Sequence, residues 1–246
     1  MLLKPLLLSS LLTLSPAAII PQEKASDGKQ CNCEGINVRE NQTLRDTYIC
    51  GDKRLGPRNL PAKLPLATFV TGYDRFGGLT PDEFLQKWWN TTDRGDGNEA
   101  GWIYPEKYGF ELNEDLLPIK ANVDLKPETL VDRFGENTGR YISPATAPFA
   151  QRALHPQNLD TGKNKEFPNN YHVYKVTRTF TVQAGPIRPW FGQPGFGVQF
   201  FLGNGITVHD YIVNGHLKEL DASDLVRTGT GCGFDREEDG SVDEEL

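Results

Sequence analysis

The sequence lacks the short motifs that identify several common classes of enzyme. It contains no Gly-x-Ser-x-Gly nucleophile elbow, no Walker phosphate-binding loop and no His-Glu-x-x-His zinc motif. His155, His209 and His216 show no metal-ligand spacing, and one Cys-x-Cys without a second pair is weak evidence for zinc. The α/β-hydrolases, P-loop nucleotidases and zincin proteases are therefore excluded as candidate classes.

Basic residues are outnumbered by acidic ones, with 26 lysines and arginines against 33 aspartates and glutamates. The 246 residues carry a net charge of −7, and much of the negative charge lies between Asp235 and Glu245. An acidic chain does not attract a polyanion, so we expect no nucleic-acid partner. No segment after the N-terminus is apolar enough to cross a membrane, so we expect no membrane span.

The first 18 residues have the composition of a secretory signal peptide. Lys4 supplies a positive charge, Leu6 to Leu14 is a short apolar run, and Ser15 to Ala18 offers small residues for cleavage. A buried N-terminal helix is the alternative. We therefore expect a secreted protein, extracellular or held at a cell surface, and Asn41 and Asn90 begin glycosylation sequons that suit this route.

Four cysteines follow the signal peptide: Cys31, Cys33, Cys50 and Cys232. An even number in an exported chain favours two disulfides, and four cysteines allow three pairings. Cys31 and Cys33 are too close together to bridge easily. Of the pairings that remain, we favour Cys33–Cys50 with Cys31–Cys232, which would clamp the C-terminal tail to the N-terminal region.

Beyond the signal peptide, the chain divides into an N-terminal accessory region at 19–118, a second domain at 119–226 and an acidic tail at 227–246. The clearest element of the accessory region is a helix at Pro81 to Asn90, which Thr80 and Glu83 can cap as a capping box. Its Trp88–Trp89 pair is expected in a core or in a contact between regions rather than in a ligand site.

The domain at 119–226 is expected to consist mainly of strands. Alternating apolar and polar residues predict a half-buried strand from His172 to Val182, and Val198 to Leu202 and Ile206 to Val213 are predicted as further strands. Asn204-Gly205 and Asn214-Gly215 are typical of hairpin turns. A short helical piece is expected near Pro148 to Leu154.

Five sequence motifs occur in a fixed order in the second half of the chain, namely Leu130–Gly135, Gly139–Pro144, Phe149–Leu154, Tyr171–Val176 and Pro189–Phe200. Together they resemble the tuberculosis necrotizing toxin (TNT) family. The resemblance covers roughly residues 119 to 222 and implies an α+β fold with a small antiparallel sheet, beside the cysteine-stapled, partly helical N-terminal region.

The resemblance implies an enzyme that hydrolyses the bond between nicotinamide and ribose in NAD+. Ordinary glycosidases use two carboxylates, and Asp132 and Glu136 show no such pairing in the sequence. Nicotinamide leaves as a neutral base from a cationic ring, so no acid has to protonate it. The enzyme must instead hold the diphosphate, twist the ribose and shield an oxocarbenium-like transition state.

The family resemblance assigns catalysis to Arg133 and Gln199. Arginine is a planar, permanently charged fork for phosphate, and glutamine can both donate to and accept from a ribose hydroxyl or a water. The resemblance further implies that four residues contact the substrate or line its pocket, namely Phe134, Tyr141, Arg152 and Trp190.

Each assignment has a structural alternative. Asp132 and Arg133 could form a surface ion pair, Arg152 could belong to a structural salt bridge, and Trp190 could lie in a core. His172 is expected to be a structural histidine within a strand. The alternative functions are an ADP-ribosyltransferase, a non-catalytic secreted toxin or interaction module, and a secreted ribonuclease that uses His172 or His209.

Within the family, the resemblance is to secreted fungal NAD+ glycohydrolases, and Tyr48–Pro57 and Phe76–Leu85 are similar to their N-terminal part. It implies a homodimer that requires no cofactor, with NAD+ as substrate and NADP+ accepted if the adenosine side is open. Some relatives bind calcium near the C-terminus, but the matching positions here are Val226 and Arg227. The tail from Asp235 follows only part of a calcium-loop spacing, so we expect a solvated tail and leave the metal unknown.

Overall fold

The computed structural model describes residues 27–37, 41–91, 100–161 and 165–221. The expected signal peptide, Cys232 and the acidic tail at 227–246 lie outside these residues. Helices and strands cover short stretches of the described chain, joined by 3₁₀ turns and loops. The helices are α1 (Asp27–Gln30), α2 (Gln42–Thr47), α3 (Leu66–Phe69), α4 (Pro81–Trp88) and α5 (Val208–Val213).

The strands form two antiparallel sheets within the described residues. A two-stranded sheet in the N-terminal region pairs β1 (Trp89–Asn90) with β2 (Gly101–Trp102). The larger sheet has seven strands in the order β3-β7-β8-β5-β4-β6-β9. Its strands are β3 (Ala121–Leu125), β4 (Leu130–Phe134), β5 (Tyr141–Pro144), β6 (Tyr171–Val176), β7 (Phe180–Pro186), β8 (Val198–Phe201) and β9 (Leu217–Glu219).

The two faces of the large sheet are buried against different parts of the chain. Successive side chains of a strand point to opposite faces. Tyr174 of β6 accordingly packs in a cluster with Val208 of α5, whereas its neighbour Val173 packs with Phe69 of α3. The N-terminal region therefore covers one face of the sheet instead of standing apart from it.

The N-terminal region has its own small core, stapled by a disulfide. Cys33 and Cys50 are bonded, as predicted, and Cys50 packs with Phe84 of α4. Cys31 forms no disulfide with the described residues, and its predicted bond to Cys232 stays a prediction. Phe191, from the last of the five motifs, inserts into this same core, so the two regions share a buried contact.

The predicted helix at Pro81 to Asn90 is confirmed as α4, except for its last two residues. Thr80 and Glu83 form both hydrogen bonds of the capping box. The helix ends at Trp88 rather than at Asn90, because Trp89 turns into β1 and pairs with Trp102.

Two strand predictions were wrong. The segment from His172 to Val182 is two strands, β6 and β7, which have different neighbours in the sheet. Periodicity could not show the break, because Val176 and Phe180 on either side of it are both buried. The segment from Ile206 to Val213 contains helix α5, whose capping box of Thr207 and Asp210 prevails over its β-branched composition.

The two dipeptides predicted as hairpin turns lie on either side of helix α5, so neither of them joins two strands. Asn204 and Gly205 form a turn that leads from β8 into α5 rather than into a second strand. Asn214 ends α5, and Gly215, with a positive φ of 67°, leads into β9. The short helical piece is confirmed as a 3₁₀ turn at Phe149–Arg152. No helix among the described residues is long and apolar enough to span a membrane.

Candidate active site

A cavity of about 460 Å³ lies between the large sheet and the N-terminal region. It collects side chains from motifs that are far apart in the sequence, including all six residues predicted for catalysis or substrate binding. Those residues are Arg133, Phe134, Tyr141, Arg152, Trp190 and Gln199. One volume therefore brings together the sequence-predicted site.

Arg133, on β4, is held by two backbone carbonyls. Its Nε donates to the carbonyl of Glu136 at 2.9 Å, and its Nη1 donates to the carbonyl of Tyr141 at 2.7 Å. The guanidinium lies against Gly139, where a Cβ would be only 1.9 Å from Nη2. Burial lowers the pKa of Arg133, although nearby tyrosines and Glu136 raise it again. An arginine remains charged under these conditions, so the site contains a fixed cation.

Gln199, on β8, is anchored from the opposite side of the cavity. The residue is 8% exposed, and its Nε2 donates to the backbone carbonyl of Tyr108 at 2.9 Å. This bond assigns the orientation of the amide. No donor among the described residues reaches Oε1, so that oxygen is the atom left to accept a hydrogen bond from a ligand.

Tyr108 belongs to a strained turn that the sequence analysis did not identify. Lys107, Tyr108 and Gly109 have φ values of 55°, 61° and 75°. Left-handed backbone at non-glycine residues is costly and tends to occur at functional sites. Tyr104, Pro105, Tyr108 and Gly109 line the cavity, yet no motif or spacing in the sequence distinguishes this stretch from an ordinary loop.

The cavity thus has two walls of different construction. We define the sheet wall as Arg133, Arg140, Tyr141 and Gln199, which lie on or beside β4, β5 and β8. We define the loop wall as Tyr104, Tyr108, Gly109, Arg188 and Trp190, which lie outside the strands.

A column of aromatic rings connects the two walls. Phe201 stacks on Tyr108 with ring centroids 4.8 Å apart, and on Tyr141 with centroids 5.1 Å apart. Offset stacking of this kind adds stability beyond the area buried. The position of the loop wall is therefore tied to β5 and β8 of the sheet.

Arg152 lies at the back of the cavity in a buried ion pair. Its Nη1 and Nη2 donate to the two carboxylate oxygens of Asp132 at 2.6 and 2.7 Å, and its Nε donates to the carbonyl of Ala147. Asp132 is therefore paired with Arg152 and not with its neighbour Arg133. The diphosphate contact predicted for Arg152 stays a prediction, and the structural alternative describes the contacts it makes here.

Phe134 and Trp190 reach the cavity from hydrophobic cores. Phe134 is 2% exposed and packs between Phe149 and Tyr171. The Trp190 indole N–H donates to the carbonyl of Ile103 at 2.7 Å, and its ring lies 5.1 Å from Trp88. Trp88 is thus part of a contact between regions, and Trp89 packs on Trp102 within the N-terminal core, which are the two positions expected for this pair.

The sequence matches known proteins over the segments that form the large sheet and the cavity. A model of the family described as "Tuberculosis necrotizing toxin" (TNT) matches residues 124–220. Over 217 residues the chain is 41% identical to the conidial surface nicotinamide adenine dinucleotide glycohydrolase nadA of Aspergillus fumigatus. That match covers 86% of this chain and 88% of the relative. The chain belongs to the TNT family.

A TNT-family member also appears among solved structures. The tuberculosis necrotizing toxin, complexed with its immunity factor IFT, is 18% identical and gives a TM-score of 0.44. The comparison covers 85% of this chain and 100% of the toxin chain. The family assignment rests on the sequence matches.

The TNT match begins after the strained turn. It starts at residue 124, so the segment from Tyr104 to Gly109 lies outside it. The match with the fungal relative is longer and covers 86% of the chain. The TNT match therefore includes the whole sheet wall, while three of the five loop-wall residues come from the preceding region.

Two of the histidines, His155 and His172, are buried and contact other side chains. His172 contacts Glu219 at 2.5 Å through Nδ1 and Asn170 at 2.9 Å through Nε2, as expected of a satisfied structural histidine. Burial lowers the pKa of His155 to about 3, so it is neutral, and its Nε2 lies 3.0 Å from the Tyr104 hydroxyl. The described residues contain no group of three or more His, Cys, Asp or Glu that could hold a metal ion.

Proposed function

We propose that this TNT-family chain is an NAD+ glycohydrolase, which cleaves NAD+ to nicotinamide and ADP-ribose. Two findings support the proposal. The fungal relative is named as a nicotinamide adenine dinucleotide glycohydrolase. The decisive observation is the single cavity that collects Arg133 and Gln199 from separate motifs, with aromatic side chains around them.

The chemistry requires little proton transfer. The bond between ribose C1′ and the nicotinamide nitrogen breaks, and its electron pair neutralises the positively charged ring. A water oxygen then bonds to C1′ and releases its proton to solvent. Positive charge moves from the ring to the ribose in the transition state, so groups that accept hydrogen bonds from the ribose or the water favour the reaction.

Gln199 is suited to accept a hydrogen bond from the ribose or the water. Its Nε2 is held by Tyr108, which leaves Oε1 as an acceptor for a ribose hydroxyl or for the attacking water. A fixed acceptor needs no reorganisation when charge develops. Gln199 would therefore orient the reacting ribose or its water.

Arg133 is suited to hold the anionic part of the substrate beside the ribose. Two of its N–H groups are bound to backbone carbonyls, and the others remain for phosphate or ribose oxygens. Arg152 would support this wall through Asp132, while Phe134, Tyr141 and Trp190 would shield the reacting centre from water.

The test compares Gln199→Ala with the wild type for nicotinamide release from NAD+. Loss of an oriented polar group at a reacting centre typically lowers kcat by about 10²- to 10³-fold. Gln183→Ala is the matched control, because Gln183 lies on neighbouring β7 and contacts Lys120 outside the cavity. Equal activity of the Gln199 variant and the control would refute the site assignment.

The same experiment separates the alternative functions. An ADP-ribosyltransferase would transfer label from NAD+ to protein, whereas a glycohydrolase releases free ADP-ribose. A well-folded wild type that releases no nicotinamide would favour the non-catalytic module. The ribonuclease alternative receives no support from His172, which is occupied by Glu219 and Asn170.

The proposal also includes export, glycosylation, a homodimer and the use of NADP+. The relative is named as a conidial surface protein, which supports export of this chain to the surface or the medium. Asn41 is exposed and caps α2 through Oδ1, so its Nδ2 can carry a glycan. Use of NADP+, the homodimer, glycosylation at Asn90 and calcium at the tail stay predictions.

A further inference from the structure

The arginines of the cavity differ in how many of their donors are already in use. Every guanidinium nitrogen of Arg152 donates to Asp132 or to the carbonyl of Ala147. Arg133 has committed Nε and Nη1 to carbonyls. Arg152 therefore cannot pair with a ligand without losing a bond to the protein. Arg133 still offers N–H groups on its terminal nitrogens, but the edge that contains Nε is blocked by the bond to Glu136.

Two further arginines line the same cavity, and their guanidinium N–H groups are not engaged by the described residues. Arg140 follows Gly139 on the sheet wall, and Arg188 lies on the loop wall. Both side chains are half-buried, and neither guanidinium makes an ion pair or hydrogen bond with the described part of the chain. The sequence analysis assigned neither of them a role.

Aromatic rings hold both side chains without using their N–H groups. The guanidinium carbon of Arg140 lies 5.9 Å from the ring centre of Phe201, and that of Arg188 lies 5.8 Å from Trp190. A cation over an aromatic face is stabilised while its in-plane donors stay available. Phe201 and Trp190 are themselves fixed by stacking and by the bond to Ile103.

The charges of the cavity also favour an anionic ligand. Its lining includes four arginines and one carboxylate, Asp132, which the buried pair with Arg152 neutralises. Arg133, Arg140 and Arg188 are left as positive charges around one space. A diphosphate carries two negative charges and several acceptor oxygens, and it matches paired guanidinium forks.

We propose that Arg140 and Arg188 form a clamp for the diphosphate of the substrate, with one arginine on each wall. The proposal rests on the NAD+ glycohydrolase function and adds the residues that hold the unreacting part of the substrate. Contacts to the diphosphate are made equally in the ground state and in the transition state. They therefore lower KM and leave kcat nearly unchanged.

The experiment measures ADP-ribose binding by calorimetry and NAD+ turnover for Arg140→Gln and Arg188→Gln. We expect each variant to weaken ADP-ribose binding roughly tenfold or more, as loss of a charged hydrogen bond does. KM for NAD+ should rise by a similar factor, with kcat within about twofold of the wild type. Arg178→Gln is the control, because Arg178 donates to Gly215 away from the cavity.

A second substrate sharpens the assignment. Nicotinamide mononucleotide has the reacting bond but only one phosphate, so the wild type should prefer NAD+ and the two variants should lose much of that preference. Arg140→Lys and Arg188→Lys keep the charge without the fork and should fall between. Glutamine variants that keep the wild-type ADP-ribose affinity and KM would overturn the clamp.

The two proposals fail in different ways. If the wild type hydrolyses NAD+ and both glutamine variants keep its KM, the clamp is wrong and the glycohydrolase function stands. If the wild type binds ADP-ribose through these arginines but releases no nicotinamide, the clamp stands and the proposed function is wrong. Thermal unfolding of each variant separates lost binding from lost folding.

Discussion

The sheet wall and the loop wall face the same cavity but are held in place by different forces. Arg133 and Gln199 project from strands whose neighbours fix them through continuous backbone pairing. Tyr108 and Gly109 lie in a turn with left-handed backbone, held by an aromatic stack and by the N-terminal core. Strand register makes the first wall rigid, whereas the second wall depends on a strained turn that its surroundings must maintain.

The two walls nevertheless meet at one side chain, for which we propose a catalytic role. Gln199 belongs to β8, but the carbonyl of Tyr108 fixes its amide. The left-handed turn places this carbonyl. The ring of Tyr108 in that turn stacks on Phe201, which lies on β8 like Gln199. A residue on the rigid wall can thus take its working orientation from the strained one.

Breaking the ion pair behind the sheet wall should have the largest effect on stability. Arg152→Met leaves the buried carboxylate of Asp132 without its cation, and such losses typically cost about 3–5 kcal/mol in the free energy of unfolding. Urea unfolding measures this cost. Lys126→Met is the control, because its pair with Asp124 is exposed to solvent and should contribute little to stability.

The outcome also decides the role of Arg152. A stable variant with a raised KM for NAD+ would show that Arg152 contacts the substrate, as the family resemblance implied. A destabilised variant whose folded fraction keeps a normal KM would assign it to the support of the sheet wall.

Displacing Arg133 within an intact sheet wall should lower activity without unfolding the protein. In Gly139→Ala the new Cβ would lie 1.9 Å from Nη2 and 2.0 Å from the guanidinium carbon of Arg133, so the guanidinium must move. A misplacement of this size can lower kcat about 10²-fold. Steady-state kinetics of nicotinamide release measure the loss.

The control for this variant is Gly28→Ala, in helix α1, where a Cβ meets no atom within 4 Å. It should keep full activity. If Gly139→Ala were equally active, the fixed position of Arg133 would not matter for the reaction.

Straining the loop wall should give the smallest effect and test how strongly it governs Gln199. Gly109 has φ of 75°, so alanine there is disfavoured by about 1–2 kcal/mol. The turn should relax and shift the neighbouring Tyr108 carbonyl, which would loosen the Gln199 amide. We expect a decrease in kcat of up to about tenfold with little change in KM, measured with NAD+.

Gly72→Ala carries a similar backbone strain, with φ of 70°, at an exposed position with no atom near the new Cβ. It should lose stability to a similar degree but keep its kcat. If the two variants behaved alike in both measurements, Gln199 would not depend on the loop wall.

Local chemistry in the sequence was enough to predict several elements. The capping box of Thr80 and Glu83 identified α4, and the alternation in β6 identified a strand. The same kind of reasoning failed at Thr207 and Asp210, where β-branched residues suggested a strand and the capping box was overlooked. It also missed the break between β6 and β7, because burial on one face continues across the break.

The sequence by itself determined the family, the motifs of the sheet wall and the identity of Arg133 and Gln199 as candidates, because these depend on residue type and order. Only the tertiary structure decided that Asp132 pairs with Arg152, that Tyr108 orients Gln199, and that Arg140 and Arg188 keep open donors. Each of these is a contact between residues distant in sequence or a choice among partners. Such choices depend on burial and distance, which no local pattern of residues records.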